Sequence, residues 1–275
     1  MKFNYCDKLI KDFLKVVEKP VLVKGAKYYT GIDLGTACVV LCVLNEAGEP
    51  VAGAYRYADV VRDGMVVDYL GAIQIVREMK QQLEKKLNTE LHIAATAIPP
   101  GTDLLDSGAV KHVAESAGFE IGRMLDEPTA ANEVLKIEHG AIVDIGGGTT
   151  GISIIKDGQV VHISDEPTGG THFSLVVSGA YKMPYEKAEL FKRDYKNHRE
   201  LIGVLKPVIE KVASIISRHI GGHDVQEIVL VGGTACFHGI EDIIADETGV
   251  FTHKPKNPMF VTPLGIALSC MNSKA

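Results

Sequence analysis

The sequence predicts an α/β protein made of two duplicated α/β domains that face one cleft. Three observations carry this expectation. Strand-like and helix-like segments alternate along most of the 275 residues. An apolar–aspartate–glycine hairpin pattern at 141–151 has a second copy at 30–44. A chain of this length also holds about two domains, each large enough to bury a core.

The pattern at 141–151 reads Ala-Ile-Val-Asp-Ile-Gly-Gly-Gly-Thr-Thr-Gly. An apolar run ends at Asp144, a glycine-rich turn follows, and a second apolar run starts at Gly151. Asp157-Gly158 then turns the chain into a third run, Gln159 to Ile163. This is strand, tight turn, strand, Asp-Gly turn, strand. Glycines have no Cβ, so their N–H groups can approach an anion closely, and the segment reads as a phosphate-gripping hairpin. The front copy carries Asp33, Gly35, Thr36 and Ala37 at the equivalent places. Either aspartate alone could simply cap a turn; their recurrence in both halves favours one shared site. A carboxylate beside a phosphate is repelled by about 4 kcal/mol at ~4 Å and an effective dielectric of ~20. A cation must therefore sit between them, and Mg²⁺ is the natural one, so the expected ligand is Mg·ATP or Mg·ADP. Gly146, Gly148 and Gly151 also spell G-x-G-x-x-G, but β-branched residues follow where a dinucleotide fold needs a helix. No P-loop motif occurs.

In chain order, residues 1–20 predict an amphipathic helix with Phe3, Cys6, Ile10, Phe13 and Val17 on one face, stopped by Pro20. It is expected to stand before the nucleotide core, packed on its own domain or serving as a docking peptide. A loop with an Arg62-Asp63-Gly64 turn leads into a helix over 69–87. A buried strand over 91–98 closes at Pro99-Pro100-Gly101, and a helix over 105–117 and a strand over 121–125 follow. Pro128 marks the first turn of the next helix. Past the central hairpin, Gly169-Gly170 leads into helices over 174–180, 184–194 and 201–220. A buried strand over 225–231 runs into Gly232-Gly233-Thr234, a glycine pair suited to close approach by phosphate or sugar. Helices over 239–245 and from Thr262 complete the chain. The expected domains are an extension over 1–24, a first domain over 25–138 completed by 263–275, and a second over 139–262 entered near Gly140.

Apolar residues at 46% and charged residues at 23% are ordinary for a globular chain. A net charge of −6 argues against nucleic acid or an anionic membrane as main partner. Cys6, Cys38, Cys42, Cys236 and Cys270 lack metal-ligand spacing and read as reduced. With no leader and no long apolar span, the chain reads as cytoplasmic. His219 and His223 are four apart, but Gly221-Gly222 breaks the helix a zinc pair would need.

Five segments in this order resemble the actin-like ATPase superfamily of actin, DnaK-type heat-shock chaperones, MreB and sugar kinases. Residues 31–36 resemble its first phosphate motif and 126–131 its first connecting motif. Residues 143–149 match the second phosphate motif, 231–234 the adenosine motif and 262–267 the second connecting helix. The resemblance implies an actin-like ATPase (ribonuclease H-like) fold around a nucleotide cleft. Within the superfamily, the stretches 57–64, 98–103, 125–130, 144–152 and 168–172 are similar to the chaperone-like family of ethanolamine-utilisation operons.

The resemblance also implies roles. Asp33 and Asp144 would hold Mg²⁺, and Glu127 would position the attacking water. Gly35, Thr36, Ala37, Gly146, Gly147, Gly148 and Thr149 would surround the phosphates. Glu189 and Lys192 would bracket ribose and adenine, unless they form a surface ion pair. Gly169, Gly170, Gly232, Gly233 and Thr234 would complete the nucleotide site.

Two departures qualify these roles. Gly151 stands where DnaK-type chaperones carry an acid, and their phosphate-facing lysine has no clear counterpart beyond Arg62. Phosphoryl transfer rests on positioning and charge stabilisation, so hydrolysis is expected to be slow or partner-dependent. The chain is also expected to lack the large inserted subdomains and the peptide-binding domain of the chaperones. The expected function is a nucleotide-gated switch with protein partners in the ethanolamine-utilisation pathway or its bacterial microcompartment. The alternatives are a small-molecule kinase using the same cleft, or a polymerising or scaffold protein like MreB or PilM.

Overall fold

The structure, a computed structural model, describes residues 3–23, 25–62, 64–98 and 104–272, without the side chains of 104–107. Asp63 of the expected turn and the Pro-Pro-Gly segment through Asp103 lie outside the described residues. The chain divides into two compact units: Met1–Lys136 with Phe260–Ala275, and Ile137–Met259.

The first unit is built on strands β1 (Tyr29–Leu34), β2 (Cys38–Leu44), β3 (Pro50–Tyr57), β6 (Ile93–Ile98) and β7 (Glu120–Asp126), ordered β3-β2-β1-β6-β7. β1, β2 and β3 form an antiparallel meander, whereas β6 and β7 run parallel to β1. All seven residues of β2 are buried, as expected of a strand covered on both faces. One face packs α2 (Tyr69–Leu87) and α3 (Leu104–Ser116) against Ile32, Val39, Leu41 and Val43. The other face meets α4 (Glu127–Leu135) and α9 (Val261–Met271) through Ala95, Ala97, Leu125, Ala130 and Ile266. The loop expected around Arg62 holds a small hairpin, β4 (Val61–Arg62) and β5 (Met65–Val66).

Helix α1 (Asn4–Glu18) buries Cys6, Leu9, Ile10, Phe13 and Val16; of the expected face, Phe3 precedes the helix and, like Val17, is half-buried. It packs on β3 rather than standing apart from the core. Phe13 is fully buried, with its ring in the space a Cβ at Gly53 would fill and 5.3 Å from the Phe260 ring.

The second unit repeats the topology. Its strands β8 (His139–Ile145), β9 (Thr150–Lys156), β10 (Gln159–Glu166), β11 (Glu227–Val231) and β12 (Phe251–His253) are ordered β10-β9-β8-β11-β12. Again a three-stranded meander continues into two parallel strands. The Asp-Gly turn has positive φ at both centres, +51° at Asp157 and +70° at Gly158, the twist a two-residue hairpin requires. Helices α5 (Gly170–Tyr181), α6 (Tyr185–Arg193), α7 (His198–Ile220) and α8 (Ile240–Thr248) complete the unit. Gly140, expected at the crossover, lies inside β8. There φ is +145°, and a Cβ would come within 2.9 Å of the Glu227 carbonyl. β12, three residues long, is too short to be read from the sequence.

Candidate functional site

In the first unit, β1, β6 and β7 run parallel, so their carboxyl ends share one edge of the sheet, the edge where open α/β sheets bind ligands. Asp33 is half-buried at the end of β1, and Gly35-Thr36-Ala37 form the turn into β2. The turn is tight: a Cβ at Gly35 would lie 3.0 Å from the Cys38 carbonyl, and the Ala37 carbonyl accepts the Ala58 N–H at 3.3 Å. α9 fixes β1 from behind, with its Ala267 backbone nitrogen 2.5 Å from where a Gly31 Cβ would be. Gly265 of α9 lies on the Ala130 carbonyl of α4, so neither glycine admits a side chain.

Glu127 is the first residue of α4, half-buried, two strands along the edge from Asp33, roughly 10 Å at the usual strand spacing. The helix start is built by Asp126. Its carboxylate accepts the Thr129 N–H at 2.9 Å and the Thr129 hydroxyl at 2.8 Å, and Pro128 occupies the first turn. Arg62, on β4, pairs with Asp59 at 3.6 Å and is 65% exposed.

The second unit brings most of its expected residues into one bonded assembly. Asp144 is the penultimate residue of β8, paired with Val231 of β11. Gly232 follows at φ +92°. A Cβ there would collide with the Asp144 carboxylate and lie 2.6 Å from the Ile145 carbonyl, so the position requires glycine. The turn after Asp144 is closed by the Gly146 N–H on the Thr149 carbonyl at 2.9 Å.

α5 begins at Gly170, four residues before the sequence places it, and the early start has a purpose. Its first N–H groups bind the turn: Gly170 donates to the Gly146 carbonyl at 3.0 Å and Thr171 to the Gly147 carbonyl at 2.8 Å. Two hydroxyls reinforce them, Thr234 on the Gly146 carbonyl at 2.7 Å and Thr171 on the Gly147 carbonyl at 2.9 Å. Gly169 admits no side chain here, since a Cβ would lie 2.9–3.0 Å from the Gly146 and Gly147 carbonyls and the Gly148 carbonyl carbon. Gly233 is exposed beside this assembly.

Glu189 and Lys192 do not form a surface pair. The Lys192 ammonium, 10% exposed, donates to Glu189 at 2.7 Å and to the Gly170 carbonyl at 2.9 Å. Glu189 also accepts from Ser174 and from Arg193 at 2.6 Å. Burial alone would raise the Glu189 carboxyl, but Lys192, Ser174 and Arg193 together hold it below its ordinary value. Burial lowers the Lys192 ammonium, against the opposing pull of Glu189. The paired, charged form is the one this geometry supports.

Three contributors escape a reading of the sequence. Thr171 and Arg193 are marked there by nothing more than following Gly-Gly and lying four residues past Glu189. His198 is buried, with Nδ1 accepting the His238 N–H at 3.1 Å, so Nε2 carries the proton toward the Lys192 carbonyl 2.9 Å away.

α7 ends at Ile220, as Gly221-Gly222 indicate. The His162 ring lies 6.3 Å from that of His219 and 5.0 Å from that of His223. Among the described residues, no group of three or more His, Cys, Asp or Glu side chains is arranged to hold a metal ion. No helix among them is long and apolar enough to cross a membrane.

Two sheets of one topology, each with an aspartate near a strand end and a glycine turn beside it, are the fold of the actin-like ATPase superfamily, to which two family models assign the chain. The family models for the MreB/Mbl protein and for the type IV pilus assembly protein PilM match residues 51–188 and 121–259. The chain is 44% identical over 242 residues to the ethanolamine utilization protein EutJ of Salmonella typhimurium, covering 88% of this chain and 85% of that one. It matches the crystal structure of EutJ from Carboxydothermus hydrogenoformans with a TM-score of 0.90 at 46% identity, over 97% of both chains. MreB5 of Spiroplasma citri bound to ADP shares the fold, with a TM-score of 0.64 at 18% identity over 87% of this chain and 94% of that one. The chain belongs to the EutJ family of ethanolamine utilization proteins.

Proposed function

We propose that the chain is a Mg-nucleotide-binding, chaperone-like switch of ethanolamine utilisation that hydrolyses ATP slowly. One observation carries the reading. The glycine turn of the second unit has its Gly146 and Gly147 carbonyls tied down behind it by four hydrogen bonds. A peptide whose carbonyl is pinned one way aims the following N–H the other way, so Gly147 and Gly148 present theirs on the free side as an anion nest. The α5 N-terminus is spent on the turn and not on the ligand. The MreB5 relatives bound to ADP and to AMPPNP support a nucleotide as that anion.

Asp33 and Asp144 supply one hard carboxylate in each unit. A carboxylate of this kind suits Mg²⁺, which keeps several waters and takes other oxygens from phosphate. When bound, the ion neutralises charge on the phosphates. Glu127, at a helix start, is suited to orient a water. Glu189, Lys192 and Arg193 stiffen the wall expected to carry ribose and adenine. Gly151 in β9 brings no carboxylate opposite Asp144, which favours binding over fast turnover. The pathway role and its protein partners, in the microcompartment or beside it, rest on family membership.

A second reading is kept by the PilM and MreB/Mbl matches: a scaffold or filament that uses nucleotide to assemble. Thermal unfolding with and without MgADP or MgATP, beside light scattering, tests both. The switch predicts a nucleotide-raised midpoint with no growth in scattering. Growth with MgATP favours assembly, and an unmoved midpoint removes both.

A further inference from the structure

We infer that Thr171 and Thr234 are positioning residues, which set the direction of the phosphate-facing peptides without touching the ligand; this rests on the nucleotide reading above. Both hydroxyls are spent on the back of the turn, Thr234 on the Gly146 carbonyl and Thr171 on the Gly147 carbonyl. Neither carbonyl is held by the turn itself, whose closing bond runs from Gly146 to Thr149. With glycines at 146–148, the peptides between them rotate at little cost unless something outside fixes them. Each carbonyl therefore has two anchors, one N–H from the first turn of α5 and one threonine hydroxyl. The anchors come from different elements: Thr171 lies on α5, and Thr234 opens the short turn after β11. Thr234 is 8% exposed, and the space beside Gly170 that would take a Cβ is filled by its Oγ1 at 2.5 Å, so its rotamer is held.

The arrangement gives specificity as well as affinity. A peptide N–H nest rewards the terminal phosphates of a nucleotide and leaves the sugar and base unaffected. Loss of either hydroxyl therefore weakens a ligand that reaches the nest and spares one that does not.

The test compares MgADP and AMP, by titration calorimetry on the full chain, for the parent, Thr171→Val, Thr171→Ser, Thr234→Val and Thr234→Ser. Each valine keeps the side-chain shape and removes one hydrogen bond. MgADP affinity is expected to fall about five- to tenfold in each valine variant, AMP affinity to stay within about twofold, and serine to restore MgADP binding. Equal loss for both ligands, with a lowered thermal midpoint that serine does not restore, would show a structural role and overturn the inference. Unchanged MgADP binding in the valine variants would overturn it as well. If the parent binds neither nucleotide, the nucleotide reading itself has failed.

Discussion

Lys192 shows how much one residue's meaning depends on its partners. Buried, it is tolerable because Glu189 and the Gly170 carbonyl accept its hydrogen bonds. Glu189→Ala leaves that ammonium buried without its counter-charge, and the expected cost is about 3 kcal/mol in urea unfolding. The double change to Leu and Met at 189 and 192 should restore most of it, because desolvation is removed along with attraction. His198 gives a pH signature. Burial first, then His238 and Lys254, hold its folded imidazole below the ordinary value, against the Lys192 carbonyl and Asp194. As pH falls, the unfolded chain therefore takes the proton first. The His198 contribution is whole above about pH 6.5, is lost progressively below it, and levels off once the folded group also protonates. Thermal midpoints measured from pH 8 to 5 should show that loss in the parent, and His198→Asn should flatten it.

Elements were legible in the sequence where local chemistry decides them. The two hairpins, the Asp-Gly turn and α2 stand where periodicity and turn residues place them. The start of α5 was not legible. Gly169-Gly170 reads locally as a breaker, yet the helix begins there because the turn 24 residues earlier supplies acceptors for its first N–H groups. Glu189 and Lys192 were legible as a pair but not as a buried one, since their third and fourth partners, Ser174 and Gly170, lie on another helix. At Gly140 the sequence shows a glycine but not its close strand contact with Glu227, because that partner lies on β11.

Gly169→Ala should push α5 from the turn and cost about 1–3 kcal/mol, seen as a lowered thermal midpoint. Phe13→Ala empties the space at Gly53 and should cost about 3–5 kcal/mol, which a detached docking helix would not.

At the scale of the molecule, one topology used twice places an aspartate and a glycine turn at corresponding strand ends of each unit. The repetition was legible because it is written twice in the sequence, as apolar–Asp–apolar–Gly at 32–35 and 143–146. The account's central claim is that Asp33 and Asp144 each support magnesium-nucleotide binding. Titration calorimetry of ADP into the parent, Asp33→Asn and Asp144→Asn, each with Mg²⁺ and with chelator, tests it most directly. The account predicts magnesium-dependent binding in the parent, at least tenfold weaker in either variant. Absence of binding heat in the parent, or affinity indifferent to magnesium and to both substitutions, would contradict it.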